Sequence, residues 1–514
     1  MTAGSDHNSS SFARNLSPGL PDNIAFIKKS LGDSSDLISK EIRGGGSLDM
    51  LLIYMDGLVD TGVLNNSVLP SLLQMETERL ALLPPQERLN FILKHVLIAS
   101  KAGTFSSTDE LFKGILSGQI IVLLEGSSYG IWADAAGYEE RSVTEPISQS
   151  VVRGPMEGFT ENLRTNTSLV RKRIQDQRLW LESRKIGRIT KTTVAIMYLE
   201  HVVNKDVLAE LKSRLGHIDI DGILESGYIE EQIQDTARTP FPTIYNTERP
   251  DIIAAGILEG RIAIFVDGTP FVLLIPALFM QFFQSPEDYY QRADISTLLR
   301  FLRYLAFFIA LLAPAFYIAV TTFHQEMLPT NLLISLAAQR EGVPFPAFIE
   351  ALLMEITYEI LREASLRIPK NAGQAVSIVG TLVIGQAAVE AGVVSAAMVI
   401  IVSITAISTY VVPENGMSIA VRMLRFILMM LAASIGLFGI MIGLVLMTLH
   451  LTSLRSFGIP YMSPFGPFIS DDLKDSIFRV NWHRMRTRPV SFISEEKQSP
   501  QTRTYRQKKR RTRW

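Results

Sequence analysis

Hydrophobic positions follow one rule up to residue 292 and another beyond it. In the first part they come in short runs bounded by Gly, Pro, Asn or Asp, the pattern of strands and amphipathic helices around a core. Residues 50–55 read as a buried strand ended by Asp56-Gly57, and 119–124 with 129–133 as a hairpin around Gly126-Ser127-Ser128. Helical periodicity covers 87–100, 158–178, 206–215 and 222–235. Strand patterns cover 180–183 and 192–199 around Gly187, then 261–266 and 271–275 around Asp267-Gly268. The stretch 262–283 is apolar enough to suggest a membrane span, but Asp267, Pro270 and Pro276 favour the hairpin. Strands alternating with helices predict a cytosolic α/β region of two subdomains, 21–145 and 146–292. Residues 1–20, rich in Ser, Asn and Gly, predict disorder. No internal repeat at a fixed period is expected from this pattern.

From residue 293 the apolar runs lengthen, which predicts an all-α multi-span membrane domain over 293–455. Uncharged stretches occupy 304–323, 371–389, 391–412 and 426–449, each near the ~20 residues that cross a ~30 Å hydrocarbon core. Gly373, Gly380, Gly385 and Gly392 leave a second option for 371–389, a segment that re-enters rather than crosses. Arg292, Arg300 and Arg303 precede the first span, and a basic segment follows the last. Both ends are therefore expected in the cytoplasm, which favours four spans. Arg422 and Arg425 disagree, because four spans put them at the outer end of the last one. Between the first two spans, 347–368 reads as an amphipathic helix with Phe348, Leu352, Leu353, Ile356, Ile360, Leu361 and Ala364 at helical spacing. Glu355, Glu359 and Glu363 share one face, with Arg362 and Arg367 in reach at i,i+3 and i,i+4. That face is either the solvated side of an interfacial helix or a ring of carboxylates beside an ion path in an oligomer.

Charge sharpens this division. The chain has 50 Lys+Arg against 51 Asp+Glu, yet residues 479–514 hold 12 basic and 2 acidic groups. The C-terminal cytoplasmic segment 456–514 thus ends in a basic tail. Nucleic acid could attract it, but beside a membrane span anionic lipid supplies ~1 kcal/mol per basic residue, and lipid is the expected partner. No cysteine is present, which removes disulfides, thiolate metal sites and a cysteine nucleophile. Gly126-Ser127-Ser128-Tyr129-Gly130 fits G-x-S-x-G, but a strand follows it where a hydrolase elbow needs a helix. Phosphate-binding, dinucleotide and His-Glu-x-x-His motifs are missing, and the 7 histidines lack ligand spacing. Neither an enzyme nor a cofactor or metal site is expected. Residues 1–15 carry no apolar signal core, which leaves the α/β region on the side of synthesis. Glu390 lies one turn after Gln386; it is either an ion-path carboxylate or part of a polar turn between two spans. Gly436, Gly439 and Gly443 mark a helix-packing face.

Several ordered motifs carry a resemblance. They begin with Glu145-Pro146, Arg153-Gly154-Pro155, Gly158-Phe159-x-Glu161-Asn162 and Arg249-Pro250-Asp251. Gly260-Arg261, Val266-Asp267-Gly268-Thr269-Pro270, Glu287-Asp288-Tyr289-Tyr290 and Arg300-x-x-Arg303-Tyr304 follow. In the apolar half come Pro344-Phe345-Pro346, Arg362-Glu363-Ala364, Arg367-Ile368-Pro369, Ile378-Val379-Gly380, 385–389 and 456–461. Over about 25–470 the chain resembles the A subunit of bacterial spore germinant receptors, the GerA family. The resemblance implies a multi-pass protein of the spore inner membrane, assembled with a transporter-like B subunit that senses the nutrient and a C-subunit lipoprotein. It also implies a homo-oligomer of A subunits forming a nutrient-gated cation channel. The alternative is a scaffold or relay subunit without its own pore.

Overall fold

The computed structural model describes residues 15–44, 48–75, 83–96, 101–137, 146, 149, 151–367, 385–470, 472–481, 483, 485, 488, 489 and 492. They fall into two units. Among the described residues, one is built on those up to Ile233, on Ile244–Pro276 and on 488, 489 and 492, the other on Gln234–Thr243 and on those from Ala277 to 485.

The first unit contains two five-stranded antiparallel sheets. The first comprises α1 (Leu20–Ser30), β1 (Leu37–Gly44), β2 (Leu48–Met55), β3 (Ala102–Phe105), α2 (Thr108–Leu116), β4 (Gln119–Leu124) and β5 (Gly130–Asp134), with strand order β1-β2-β4-β5-β3. Apolar residues cover both faces. Met50, Leu52, Ile120 and Val122 pack into one core, and Leu51, Ile53, Ile121 and Leu123 into another with Ile27, Leu111 and Ile115. Alternating side chains therefore both meet apolar partners, which is why β2 and β4 are apolar without interruption.

The second sheet follows with α3 (Leu163–Arg173), β6 (Leu179–Ile186), β7 (Thr192–Leu199), α4 (Lys205–His217), α5 (Ser226–Ile233), β8 (Tyr245–Thr247), α6 (Pro250–Leu258), β9 (Ile262–Val266) and β10 (Val272–Ile275). Its order, β6-β7-β9-β10-β8, is the order of the first. The hydrogen bonds repeat as well. Glu125 Oε2 accepts from the Leu20 N–H at 2.9 Å, and Asp267 Oδ1 from the Leu163 N–H at 3.2 Å. The Gly126 N–H donates to the Pro18 carbonyl, and the Gly268 N–H to that of Glu161, both at 2.8 Å. The unit is a tandem duplication, contrary to the expectation of no repeat. A trace survives in sequence: Asp109, Gly114, Ile115, Leu116, Gly118, Ile120 and Gly126 match Asp251, Gly256, Ile257, Leu258, Gly260, Ile262 and Gly268 at one spacing. Gly118 and Gly260 both need positive φ (84° and 100°) to turn from helix into strand. The strands expected over 119–124 and 192–199 hold to the residue, and the other expected elements hold in position with shifted ends. The helix expected over 158–178 is confined to α3, because Asn162 caps it through the Arg164 and Thr165 N–H groups. Disorder expected over 1–20 does not reach its end: Leu16 and Leu20 are core residues, and the Leu16 N–H bonds to Ser106. Residues 1–14 and 97–100 lie outside the described residues.

The second unit is helical: α7 (Ala293–Thr322), α8 (Thr330–Arg340), α9 (Ala347–Arg367), α10 (Gly385–Glu390), α11 (Ala396–Val411) and α12 (Asn415–Ser453). It begins at Ala277, ahead of the expected boundary at 292, and it takes in Gln234–Thr243 from between α5 and β8. Of the helices, α7 and α12 are long and apolar enough to cross a membrane. The span expected over 304–323 lies within α7 apart from Phe323, its C-cap. Most of 371–389 lies outside the described residues; only 385–389 are described, in α10. The span expected over 391–412 starts late and is 16 residues long, because Gly392 turns at φ 68° and Ser395 caps α11.

The span expected over 426–449 is broken. Ile435 (φ −137°, ψ 20°) and Gly436 (φ 63°, ψ −141°) interrupt α12. A Cβ placed on Gly439 would lie 2.2 Å from the Leu431 carbonyl oxygen, and one on Gly443 2.4 Å from Leu428 Cδ2. In a straight helix those residues would be ~12 Å or more apart along the axis. The chain therefore doubles back into a helical hairpin with arms 415–434 and 437–453. Of the three glycines expected to share a packing face, Gly439 and Gly443 lie against the first arm of the same hairpin, while Gly436 sits at its tip. A Cβ on Gly436 would approach His324 Cε1 to 2.6 Å and Phe323 Cβ to 3.0 Å, so the hairpin tip sits where α7 ends.

Candidate functional site

The helical unit buries charged and polar side chains within a largely apolar interior and turns many large apolar side chains outward. Along α9, Glu350 and Glu355 are both fully buried, while Ile360 is 63% exposed and Ile349, Leu353 and Ile356 also face out. Of the expected acidic face, Glu355 is therefore buried, Glu359 is partly buried and Glu363 is exposed. On α11, Thr405, Ser408 and Thr409 are buried, and Ile400, Ile404 and Ile407 are exposed. The same inversion places Arg300, Arg303 and Arg425 inside, and Leu298, Phe301, Leu305, Met423, Ile427, Met430, Phe438 and Met441 outside.

The buried polar groups form a seam between α9, α11 and the first hairpin arm. Glu355 Oε2 accepts from Arg425 Nη1 at 2.5 Å, and Glu359 Oε2 from Arg422 Nη1 at 2.5 Å. Arg425 Nη2 also reaches Thr409 Oγ1 at 3.4 Å. The match is one of periodicity: carboxylates at i,i+4 on α9 face guanidiniums at i,i+3 on α12. Arg362, expected to pair with Glu359, instead lies over the Tyr410 ring at 6.0 Å. Arg367 pairs with Glu363 as expected, at 2.6 Å, on the exposed side. An open groove of about 620 Å³ borders the seam, lined by Ile356, Glu359, Ile360, Glu363, Ala364, Arg367 and Phe426.

Sequence reasoning missed the parts played by Glu350, Arg422 and Arg425. Glu350 accepts from the Ser395 N–H at 2.6 Å and from its hydroxyl, which anchors the start of α11, and Arg340 Nε stands 3.9 Å away. Arg422 and Arg425 had looked misplaced at the outer end of a span. Their spacing against Glu355 and Glu359 was the available signal. The other expected pair, Gln386 and Glu390, joins through a 2.8 Å hydrogen bond from Gln386 Nε2 on the exposed side of α10. Among the described residues that pair shares no hydrogen bond with the seam. The G-x-S-x-G match falls in the β4–β5 turn, with a strand after it.

Two polar anchors hold the ends of this unit. At the start of α7, Asp288 Oδ2 accepts from Arg300 Nε and Arg303 Nη1, each at 2.8 Å. Arg300 Nη1 also reaches Asp475 Oδ1 at 3.0 Å, and the Arg479 N–H donates to Thr297 Oγ1 at 3.1 Å. The Tyr289 ring sits 5.5 Å from both the Arg300 and Arg479 guanidinium carbons. At the hairpin base, Thr239 Oγ1 meets His450 Nε2 at 2.9 Å, Ser456 Oγ donates to the Thr243 carbonyl at 2.7 Å, and Tyr461 Oη to that of Pro242 at 2.7 Å.

Comparison with known proteins agrees with the resemblance. The family described as Bacillus/Clostridium GerA spore germination protein matches residues 25–491. Spore germination protein KA of Bacillus subtilis (strain 168) is 50% identical over 484 residues, 94% of this chain and 88% of the relative. The uncharacterized membrane protein YfkQ of the same organism is 44% identical over 479 residues, 93% of this chain and 92% of the relative. A crystal structure of the N-terminal domain of the A subunit of the Bacillus megaterium spore germinant receptor GerK3 matches with TM-score 0.42 and 38% identity, covering 52% of this chain and 98% of that one. A family match over nearly the whole length and half-identity to a spore germination protein lead to one conclusion: the chain belongs to the GerA family of spore germination proteins.

Proposed function

We propose that the chain is the A subunit of a nutrient germinant receptor in the spore inner membrane, and that its helical unit, repeated in a homo-oligomer, contributes a cation path. The inverted burial of the helical unit carries this reading. Charges in membrane-embedded helices face the bundle interior and pair with one another, with apolar side chains turned outward; Arg300 and Arg303 on α7, Glu350 and Glu355 on α9 and Arg425 on α12 follow that rule, and α11 buries its Thr405, Ser408 and Thr409. A transporter-like B subunit and a C-subunit lipoprotein complete the receptor, and the basic tail meets anionic lipid.

Both termini are assigned to the cytoplasmic side. The contacts of Asp475 with Arg300 and of Arg479 with Thr297 support this, since they bring the segment after α12 to the start of α7. Arg422 and Arg425 then count as buried partners of Glu355 and Glu359, outside the reckoning of flanking charge. Protease outside sealed, right-side-out vesicles should leave tags at Met1 and Trp514 intact; loss of either tag contradicts the assignment.

The ion path is tested by potassium efflux from phosphatidylglycerol–phosphatidylethanolamine liposomes carrying the full chain. Glu390 and Gln386 are the leading candidates for lining it, because arginines compensate Glu355 and Glu359 and Arg367 compensates Glu363. Glu390→Gln is expected to lower efflux at unchanged protein level. Vesicles that stay silent at every condition favour the second reading, a relay subunit around the nutrient sensor, which the compensation of three of the four candidate carboxylates also supports.

A further inference from the structure

Buried arginine–carboxylate pairs of two kinds occur in this protein, and the difference between them is informative. In the first unit Arg171 grips Asp36 with two nitrogens and also reaches the Leu179 carbonyl at 3.0 Å and Ser34 Oγ at 3.3 Å. Arg249 likewise holds both oxygens of Asp251 at 3.1 and 2.8 Å and the carbonyls of Gln149 and Pro155 at 3.1 and 3.0 Å. These are fork-to-fork clamps with their donors used.

The seam pairs are different. Arg422 and Arg425 each touch their carboxylate through one nitrogen. Glu355 Oε1, Glu359 Oε1, Arg422 Nε and Arg425 Nε are buried without a hydrogen-bond partner. Glu355 is 0% and Arg425 1% exposed, so the second half of each fork is desolvated without compensation. A half-satisfied buried network is costly to hold and correspondingly ready to rearrange. Both arginines stand on the arm that ends at the Gly436 break, and Glu359 borders the 620 Å³ groove, which gives its carboxylate space to turn into.

We propose that Arg422 and Arg425 form a charge latch, holding Glu359 and Glu355 neutralised in this closed packing and releasing them toward the groove when the hairpin arm shifts against α9. The proposal rests on the cation-path reading of the helical unit and adds its regulation. The arginines act here as positioning residues. Separation exchanges two internal ion pairs for two carboxylates able to attract a cation, so one movement would open a route and set its sign of charge.

Potassium efflux from phosphatidylglycerol–phosphatidylethanolamine liposomes carrying the full chain reads the latch. Arg425→Gln, and Arg422→Gln with it, should raise basal efflux about tenfold, an ordinary coupling between sites. The swapped pair Glu355→Arg/Arg425→Glu should return efflux toward the original level. A swap as leaky as Arg425→Gln, or arginine variants at normal level and normal efflux, overturns the latch alone. If the unaltered chain and every variant stay silent, the cation-path reading falls and takes the latch with it. Melting of the same proteins in detergent supplies a readout independent of flux. The losses caused by Glu355→Gln and Arg425→Gln should overlap in the double variant, and strictly additive losses would overturn the pairing itself.

Discussion

At the scale of single residues, burial decides what each charge can do. Glu182 on β6 lies beside Tyr198 on β7, whose hydroxyl donates to its Oε1, and Lys212 Nζ donates to the same oxygen at 2.7 Å. Burial pushes the Glu182 carboxyl up, but the bonds from Lys212 and Tyr198 outweigh it and leave it below its usual range. Burial, and then Glu182 itself, pushes the Tyr198 hydroxyl well above its usual value. A carboxyl depressed in the folded state contributes stability above its unfolded value of ~4.3, and that stability is lost as pH falls through the lower folded value. Melting of the full chain in detergent should therefore separate Glu182→Gln from the parent most at pH 7 and progressively less toward pH 3. Equal gaps at both ends would show that the carboxylate charge contributes nothing.

At the scale of elements, α9 and α12 illustrate how the surroundings reverse a simple reading. The period of α9 is helical, but Glu355 is buried and Glu359 partly buried, because α12 presents arginines at matching positions, while Glu363 stays exposed. For α12 the decisive residue is Gly436. Its φ of 63° with ψ of −141° is a backbone conformation that other residues adopt only at a cost of ~1–3 kcal/mol. A side chain there would also strike His324. Gly436→Val should thus destabilise the hairpin by at least ~3 kcal/mol, combining backbone strain with overpacking. A lowered melting point and new proteolysis near 435–436 are the expected signs; a normal melting point would mean that the tip can relax.

At the scale of the whole molecule, the α/β region reaches its length by using one scaffold twice. Its two copies are joined by a buried clamp, since Asp36 follows α1 of the first copy and Arg171 belongs to α3 of the second. Removing one partner of such a pair leaves a bare buried charge. Arg171→Met should therefore cost ~3–5 kcal/mol, while Arg171→Met with Asp36→Leu should recover most of it. Urea unfolding of the full chain in detergent measures both. If the double variant is no better than the single, the geometry of the pair, rather than its charge, joins the copies.

Much of this architecture could be read from the order of residues alone. Short continuous apolar runs located β2, β4, β7, β9 and β10, since a strand buried on both faces has few other compositions. Long uncharged runs located α7 and α12, and the ordered motifs identified the family. The edge strand β1 and the short edge strands β3 and β8 escaped, because the edges of a sheet carry mixed residues whose pairing is set by neighbours distant in sequence. The duplication escaped because only a thin set of glycines and aliphatics still repeats. The fold back at Gly436 and the pairing of Glu355 with Arg425 and of Glu359 with Arg422 were decided by tertiary structure alone. A glycine in an apolar helix is locally neutral between a packing face and a reversal, and a carboxylate's partner is whichever cation the fold brings within ~4 Å, at a desolvation that no local stretch of sequence records.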